Sequence, residues 1–243
     1  MHLVIDIGNS SMKCGVFERQ SDSNYILTRV GSNTDVCVDT FIQLDEEIAP
    51  MSVMVSSVRK LDVVTLDWFA SKNWTFLSSN TKTGIKINYE SPETLGMDRL
   101  AAVAGARHLA DGKNCLVIDA GTCITYDILE APDTYRGGNI SPGLSMRLKA
   151  MNHFTSALPL VSRNDEFELI GKNTESAIRN GAQTGIIMEI SAFIEAFKNK
   201  YTDLVIFITG GDAEYIKTHS KHEMRQETHL VLHGLHQILL QHV

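Results

Sequence analysis

Apolar and polar positions divide the chain into short apolar runs and longer segments with helical spacing. Short apolar runs predict buried strands, at residues 3–7, 12–18, 25–30, 51–58, 75–77, 115–119, 124–129 and 204–209. Apolar residues spaced three or four apart predict helices, at residues 35–47, 63–71, 98–110, 144–153, 173–199 and 226–242. Strands and helices alternate along the sequence, so we predict an α/β protein whose first three strands form an antiparallel meander at a sheet edge.

Two stretches of the chain repeat one strand followed by a glycine turn. The first reads LVIDIGNSSMK from Leu3, and the second reads LVIDAGTCITYD from Leu116. Asp6 and Asp119 occupy the same place in the two copies. Two acids buried together are costly unless a cation lies near them. The repeat therefore predicts two related halves whose turns face each other and clamp a polyphosphate.

The first turn carries residue types that suit an anion. Taken alone, Gly8 and its neighbours are typical of a tight strand-to-strand turn. As a phosphate loop, the turn would let backbone N–H groups approach the anion, with hydroxyl donors at Ser10 and Ser11 and a charge at Lys13. Asp6 could orient Mg²⁺ through water molecules. Neither GxxxxGK[ST] nor GxGxxG occurs, so the predicted site is neither a P-loop nor a Rossmann site.

Three further motifs admit both an ordinary and a functional interpretation. In LGMDRL, Asp98 suits the first turn of a helix, or it accepts a hydroxyl proton while Arg99 holds a carboxylate. GGNISPG, at 137–143, predicts a loop that either only connects elements or approaches a ligand closely. TGGDA places Gly210 and Gly211 between a strand and a helix, where a flat ring or an anion could bind exposed backbone.

The composition of the chain argues against several classes of protein. The chain has 243 residues, 43% of them hydrophobic, and a net charge of −7, which argues against nonspecific nucleic-acid binding. No apolar run reaches the roughly 18 residues of a membrane helix, and the first residues do not resemble a signal peptide, so we expect a cytoplasmic protein. The four cysteines form no CxxC pair, which favours buried thiols over zinc or disulfides. A compact boundary near residues 111–114 predicts domains 1–112 and 113–243.

Together these pieces resemble type III pantothenate kinase, a family of the acetate and sugar kinase, heat-shock ATPase and actin superfamily. The resemblance spans most of the chain and rests on an ordered set: DIGNSSMK, Tyr89, GMDR, DAGTCITYD, GGNISPG, FTSALP, NTESAIRNGAQTG and TGGDA. Each motif is weak alone, but the ordered set in so short a chain is specific. Ser10 stands where threonine is usual, and Cys123 stands where alanine is usual.

The resemblance implies two actin-like (ribonuclease H-like) domains with a nucleotide cleft between them, in a homodimer. The implied activity is ATP-dependent phosphorylation of pantothenate to 4′-phosphopantothenate, the first step of coenzyme A biosynthesis. The implied cofactors are Mg²⁺ with the ATP, and a monovalent cation, K⁺ or NH₄⁺.

The resemblance also implies roles for individual residues. Asp98 is the expected general base, Arg99 the ligand of the pantothenate carboxylate, and Asp119 the ligand of the monovalent cation. The residues implied in ATP binding are Asp6, Ile7, Gly8, Asn9, Ser10, Ser11, Met12, Lys13, Thr122, Gly210 and Gly211. The residues implied in pantothenate binding are Tyr89, Gly96, Met97, Asp98, Arg99 and, from the partner subunit, Thr174.

Some alternatives stay open at this point. A sugar or acetate kinase, a non-catalytic regulator and an actin-like filament protein share the superfamily, although the chain is short for the first and the last. The apolar positions of the helix at 173–199 exceed one narrow stripe. They therefore predict either a dimer interface or a helix buried within its own chain. The segment 162–170 has no assigned role.

Overall fold

The structure is a computed structural model, and it describes residues 1–21, 24–164 and 169–243. The strands are β1 (His2–Ile7), β2 (Met12–Ser21), β3 (Asn24–Asn33), β4 (Ser52–Ser57), β5 (Thr75–Phe76), β6 (Lys86–Ile87), β7 (Cys115–Ala120), β8 (Cys123–Glu130), β9 (Thr134–Pro142), β10 (Val205–Thr209) and β11 (Arg225–Gln226). The helices are α1 (Val38–Ile48), α2 (Val63–Ser71), α3 (Met97–Leu109), α4 (Leu144–His153), α5 (Thr174–Lys200), α6 (Ala213–His219) and α7 (Leu230–Leu239). The alternation confirms the predicted α/β class.

The chain divides into two compact units. The first unit contains Met1–Gly112, Asp133–Tyr135 and His229–Val243. The second unit contains Lys113–Pro132 and Arg136–Thr228. The chain passes from one unit to the other after Gly112, where the sequence predicts the boundary between domains 1–112 and 113–243. The C-terminal segment, however, belongs to the first unit and not to the predicted second domain.

The first unit is built on a sheet with the strand order β3-β2-β1-β4-β5. Strands β1, β2 and β3 pair antiparallel, which confirms the predicted meander, and β4 lies parallel to β1. Alternate residues of a strand point to opposite faces. Leu3, Ile5 and Ile7 enter a core with Phe41 of α1 and Phe69 of α2. The other face of the sheet is covered by α7, which packs on β1, β2 and β4.

Helices α3 and α7 of the first unit pack backbone to backbone at two glycines. A Cβ on Gly234 would lie 1.7 Å from the carbonyl oxygen of Ala101, and a Cβ on Gly105 would lie 2.4 Å from that of Leu230. This close approach requires glycine on both helices. It explains why a helix that is last in the sequence belongs to the first unit.

The second unit repeats the arrangement of the first around the second LVID copy. Strand β7 pairs antiparallel with β8 and parallel with β10, as β1 pairs with β2 and β4. The core lies between this sheet and the helices α4, α5 and α6. Helix α5 contributes Ile178, Ile186, Ile190 and Ile194 to that core. These apolar positions of α5 are thus buried within its own unit. This agrees with the predicted alternative of a helix that is buried within its own chain.

Two local predictions are wrong. Residues 137–142 of GGNISPG belong to strand β9 and not to a loop. Gly138 allows this, because a Cβ there would lie 1.7 Å from the carbonyl oxygen of Tyr126 on β8. The last helix begins at Leu230 and not at Gln226, because Arg225–Gln226 pairs with β10 as β11. The four cysteines are free, but Cys37 and Cys123 are only half-buried.

A pair of histidines is buried where α7 packs on β1. Nδ1 of His2 lies 3.2 Å from Nε2 of His236, and the His236 ring stacks on Phe17 with centroids 3.9 Å apart. Burial, together with the neighbouring His2, His233 and His108, lowers the pKa of His236 to about 3. Burial also lowers the pKa of His2 and of His233. These rings are therefore neutral in the folded protein at neutral pH.

This cluster predicts a loss of stability in acid. The unfolded chain binds a proton at a histidine near pH 6.5, whereas folded His236 does not until about pH 3. The contribution of neutral His236 to the free energy of unfolding is therefore complete above pH 6.5 and is lost as the pH falls toward 3. We expect the Tm of the wild type to be lower at about pH 5 than at about pH 7.5. The difference between the two Tm values should be smaller in His236→Phe, which keeps the stack on Phe17. The exposed His242→Phe serves as the control, and equal Tm slopes in wild type and His236→Phe would contradict the assignment.

Candidate active site

The first predicted phosphate turn connects β1 to β2 in the first unit. Asp6 is opposite Lys13 in the antiparallel pair and opposite Ser56 in the parallel pair. The turn is closed by a hydrogen bond from the Gly8 N–H to the Ser11 carbonyl oxygen at 3.0 Å. Asn9, Ser10 and Lys13 are exposed, whereas Ile7 and Met12 are buried beneath the turn. Asn9, Ser10 and Lys13 are thus the members of the predicted stretch that are most accessible to a ligand.

An arginine that the sequence interpretation missed holds this turn. Arg59 Nε donates to the Gly8 carbonyl oxygen at 2.6 Å, and Arg59 Nη2 donates to that of Asn9 at 2.7 Å. The Ser57 hydroxyl donates to the Arg59 carbonyl oxygen and orients the segment. The only hint in the sequence is that Arg59 directly follows the predicted strand at 51–58. The structure supplies the rest: β4 is the parallel neighbour of β1, so the residues that follow both strands emerge at the same sheet edge.

The resemblance implies that this turn binds ATP. We therefore expect Arg59→Met to raise the KM for ATP about tenfold with little change in stability, because the turn loses both side-chain donors that fix its carbonyl groups. Steady-state kinetics with ATP as the varied substrate would measure this. Arg29→Met, on the exposed strand β3, makes the same substitution away from the turn. An unchanged KM for ATP in Arg59→Met would contradict a role for this contact.

The GMDR motif begins α3 in the first unit. Gly96 precedes the helix and Asp98 lies in its first turn, where the helix dipole favours a negative charge. The Asp98 Oδ1 atom accepts a hydrogen bond from the Arg99 N–H at 2.8 Å. A Cβ on Gly96 would lie 2.6 Å from that oxygen, so only glycine at this position leaves enough space for the carboxylate. Arg99 is buried, which is unusual for an arginine and shows that it is not a solvated surface residue.

Tyr89 belongs to the same unit and is half-buried. Its ring centroid lies 6.0 Å from that of the fully buried Tyr135. The Asn88 N–H donates to the Tyr135 carbonyl oxygen at 2.9 Å, which fixes the backbone before Tyr89. Met97, the first residue of α3, is also half-buried.

The second predicted turn connects β7 to β8 in the second unit. Asp119 pairs with Thr125 on β8 and with Thr209 on β10. The Gly121 N–H donates to the Cys123 carbonyl oxygen at 2.9 Å, which makes this turn tighter than the first. Thr122, at its tip, is exposed. The two LVID copies therefore end in turns of the same kind, with an acid just before each.

Two glycine segments of the second unit lie against this turn. Gly210 has φ +94°, and a Cβ there would lie 2.4 Å from the Ala120 carbonyl oxygen and 2.6 Å from Asp119 Oδ1. The Gly143 N–H donates to the Thr122 carbonyl oxygen at 3.1 Å. The structure thus brings together three of the predicted ATP-binding residues, Thr122, Gly210 and Gly211, with Asp119. Glycine backbone thus lies next to this acid, which leaves room for the close approach of a ligand.

An ion pair follows the Gly210–Gly211 turn. Arg163 Nη1 lies 2.6 Å from Asp212 Oδ1. Burial raises the pKa of Asp212, and Arg163 opposes that effect. Arg163 belongs to the segment 162–170 that the sequence leaves unassigned, and residues 165–168 of that segment lie outside the described residues.

Thr174 is the first residue of α5 and is exposed. A capping box fixes its position: Asn173 Oδ1 accepts from the Ser176 N–H at 2.8 Å, and Ser176 Oγ accepts from the Asn173 N–H at 3.1 Å. The capping hydrogen bonds therefore hold the backbone that carries this exposed threonine.

Within residues 1–21, 24–164 and 169–243, no group of three or more His, Cys, Asp or Glu side chains could hold a metal ion. In the same described residues, no helix is long and apolar enough to cross a membrane.

Known proteins are similar to this chain over nearly its whole length. The type III pantothenate kinase family matches residues 2–196. A relative of that name from Bacteroides fragilis is 43% identical over 251 residues, covering 98% of this chain and 97% of the relative. One from Cytophaga hutchinsonii is 39% identical over 240 residues, covering 98% of both chains.

Solved structures agree on the fold. A Baf family protein from Campylobacter jejuni has a TM-score of 0.65 at 21% identity, covering 99% of this chain and 98% of its own. A ROK family glucokinase from Streptomyces griseus has a TM-score of 0.52 at 10% identity, covering 99% of both chains. The fold is therefore the predicted two-domain, actin-like kinase fold. With matches across nearly its whole length, this chain belongs to the type III pantothenate kinase family.

Proposed function

We propose that this protein transfers the γ-phosphoryl group of ATP to the primary hydroxyl of pantothenate, giving 4′-phosphopantothenate for coenzyme A biosynthesis. The observation that carries the proposal is the start of α3. There, Gly96 leaves space for the Asp98 carboxylate, and the next residue, Arg99, is buried. The chain also belongs to the type III pantothenate kinase family.

Asp98 is the general base. A primary alcohol is a poor nucleophile until its proton is shared, and a positioned carboxylate can accept that proton. Arg99 holds the pantothenate carboxylate, since a guanidinium pairs with a carboxylate through two parallel hydrogen bonds. Tyr89, Gly96 and Met97 line the pantothenate pocket beside them.

Phosphoryl transfer depends on positioning and on neutralising phosphate charge. The stretch Asp6–Lys13 takes the phosphates, with hydroxyl donors at Ser10 and Ser11 and the cation of Lys13. Thr122 contacts ATP, and Gly210 and Gly211 lie near the adenosine. Bound Mg²⁺, which prefers oxygen ligands and keeps several waters, would be oriented by Asp6 and would neutralise charge on the phosphates.

The finer assignments are proposals too. Asp119 binds K⁺ or NH₄⁺. Its Oδ1 atom and the Ala120 carbonyl oxygen would both lie within 2.6 Å of a Cβ on Gly210, so two oxygen atoms lie close together there. The enzyme acts as a cytoplasmic homodimer in which Thr174 reaches the partner's pantothenate. The exposed Met188 on α5 is an apolar position left for such an interface.

ADP release with ATP, MgCl₂ and pantothenate, with and without KCl, tests the function directly. We expect turnover that requires pantothenate and rises with K⁺. Activity with a sugar or acetate and none with pantothenate would refute the proposal in favour of another kinase of the superfamily. Activity that is the same with and without K⁺ or NH₄⁺ would refute only the role of Asp119.

We expect Arg99→Met to raise the KM for pantothenate at least about tenfold, since the carboxylate loses its bidentate partner. Methionine keeps an apolar stem in this buried place. The KM for ATP should change little, so varying each substrate in turn measures the effect. An unchanged KM for pantothenate would refute the assignment of Arg99.

A further inference from the structure

A hydrogen-bond network in the second unit centres on Glu189, in the middle of α5. Its Oε1 atom accepts from the Tyr126 hydroxyl at 2.8 Å and from the Ser141 hydroxyl at 2.5 Å. Its Oε2 atom accepts from Arg147 Nη2 at 2.5 Å. The three donors come from β8, β9 and α4. One carboxylate therefore joins four elements of the unit.

The network is largely withdrawn from water. The Tyr126 side chain is fully buried, and the side chains of Arg147 and Glu189 are 20% and 26% exposed. Burial opposes ionisation of Glu189, but the three donors outweigh it and hold the pKa of Glu189 below its ordinary value. Burial and Glu189 raise the pKa of Tyr126. Glu189 is therefore a carboxylate at neutral pH, and Tyr126 is a hydrogen-bond donor.

The network also fixes the backbone that reaches the second turn. Arg147 Nε donates to the Pro142 carbonyl oxygen at 2.8 Å, and its Nη2 atom lies 3.3 Å from the Ser141 hydroxyl. The next residue, Gly143, donates from its N–H to the Thr122 carbonyl oxygen at 3.1 Å. The segment 141–143 is thus tied to Glu189 on one side and to the Thr122 turn on the other.

A partly buried ionic network is seldom needed for stability alone, since well-packed apolar residues often do as well or better. It does fix one geometry, because each partner has a defined donor or acceptor. We propose that Glu189 is a positioning residue that, through Arg147 and Ser141, sets the place of the Thr122 turn for binding the phosphates of ATP. This inference rests on the proposed function in taking Thr122 as an ATP contact.

The test is Glu189→Gln, which keeps the size of the side chain. The glutamine oxygen can still accept from Tyr126 and Ser141, but its amide nitrogen meets the Arg147 guanidinium as a second donor. We expect about tenfold weaker calorimetric binding of a non-hydrolysable ATP analogue with MgCl₂ and an equal rise in the KM for ATP. The KM for pantothenate should stay within about twofold.

Glu195→Gln is the matched control, on the same helix. Glu195 is exposed and pairs with the exposed Lys221 at 2.7 Å, outside the network. This variant should bind the analogue as the wild type does. If Glu189→Gln lowers the Tm but binds the analogue with wild-type affinity, Glu189 is structural only and the proposal is overturned. The same holds if the two KM values rise together.

Ser141→Ala is the second variant, for the case that Glu189→Gln does not fold. It removes one donor and leaves the pair between Arg147 and Glu189, so we expect about threefold weaker binding of the analogue. Unchanged binding would overturn the proposal. Because the calorimetric assay contains no pantothenate, its outcome is independent of whether pantothenate is the acceptor, which the ADP-release assay decides.

Discussion

Asp98→Asn is expected to lower kcat by about 10²–10⁴-fold, the usual contribution of a general base. Asparagine has the size of aspartate, and its oxygen can still accept the hydrogen bond that the Arg99 N–H donates at 2.8 Å. The local geometry is thus kept while the group that takes the proton is lost. The KM for pantothenate should change little, because Arg99 is intact.

The measurement is kcat at saturating ATP and pantothenate, with the Tm recorded to show that the variant is folded. Asp67→Asn, on an exposed position of α2, is the control and should keep the wild-type kcat. A kcat near the wild-type value in Asp98→Asn would remove Asp98 from the role of base. A fall of the same size in Asp67→Asn would show that the effect is not specific to the site.

The repeated LVID motif explains why much of the fold could be predicted from the sequence. An apolar strand, an acid at its end and a glycine turn are local features, and each copy predicts a strand pair without knowledge of the rest of the chain. In the structure Asp6 is opposite Lys13, and Asp119 is opposite Thr125, in equivalent antiparallel pairs. The parallel partners β4 and β10 also follow from apolar runs.

What the sequence did not reveal depends on contacts between distant segments. Arg59 reaches Gly8 and Asn9 across about fifty positions of sequence, and nothing local distinguishes it from a solvated arginine. Strand β9 contains glycines that ordinarily disfavour a strand, and only the nearby backbone of Tyr126 explains Gly138. The last helix belongs to the first unit because Gly234 fits against Ala101, a match that neither segment shows alone.

Gly210→Ala is expected to weaken binding of the ATP analogue about 10²-fold, since a small displacement of positioning groups can cost that much. Two physical effects combine at this residue. Its φ of +94° is strained for any residue with a side chain. The added Cβ would also lie 2.4 Å from the Ala120 carbonyl oxygen, which belongs to a central strand and cannot yield. The Gly210–Gly211 turn must therefore move away from β7.

Gly181→Ala is the control, because it makes the same substitution on α5, where a Cβ would meet no atom within 4 Å. Alanine is favoured over glycine within a helix by about 1 kcal/mol, so this variant should bind the analogue normally and keep or raise its Tm. The two affinities are compared by calorimetry well below both Tm values, so that unfolding does not affect the comparison.

Because the new methyl group would also lie 2.6 Å from Asp119 Oδ1, Gly210→Ala should reduce the activation by K⁺ as well. Wild-type nucleotide affinity in Gly210→Ala would mean that ATP binds away from this turn, and Thr122, Gly210 and Gly211 would lose their assignment together.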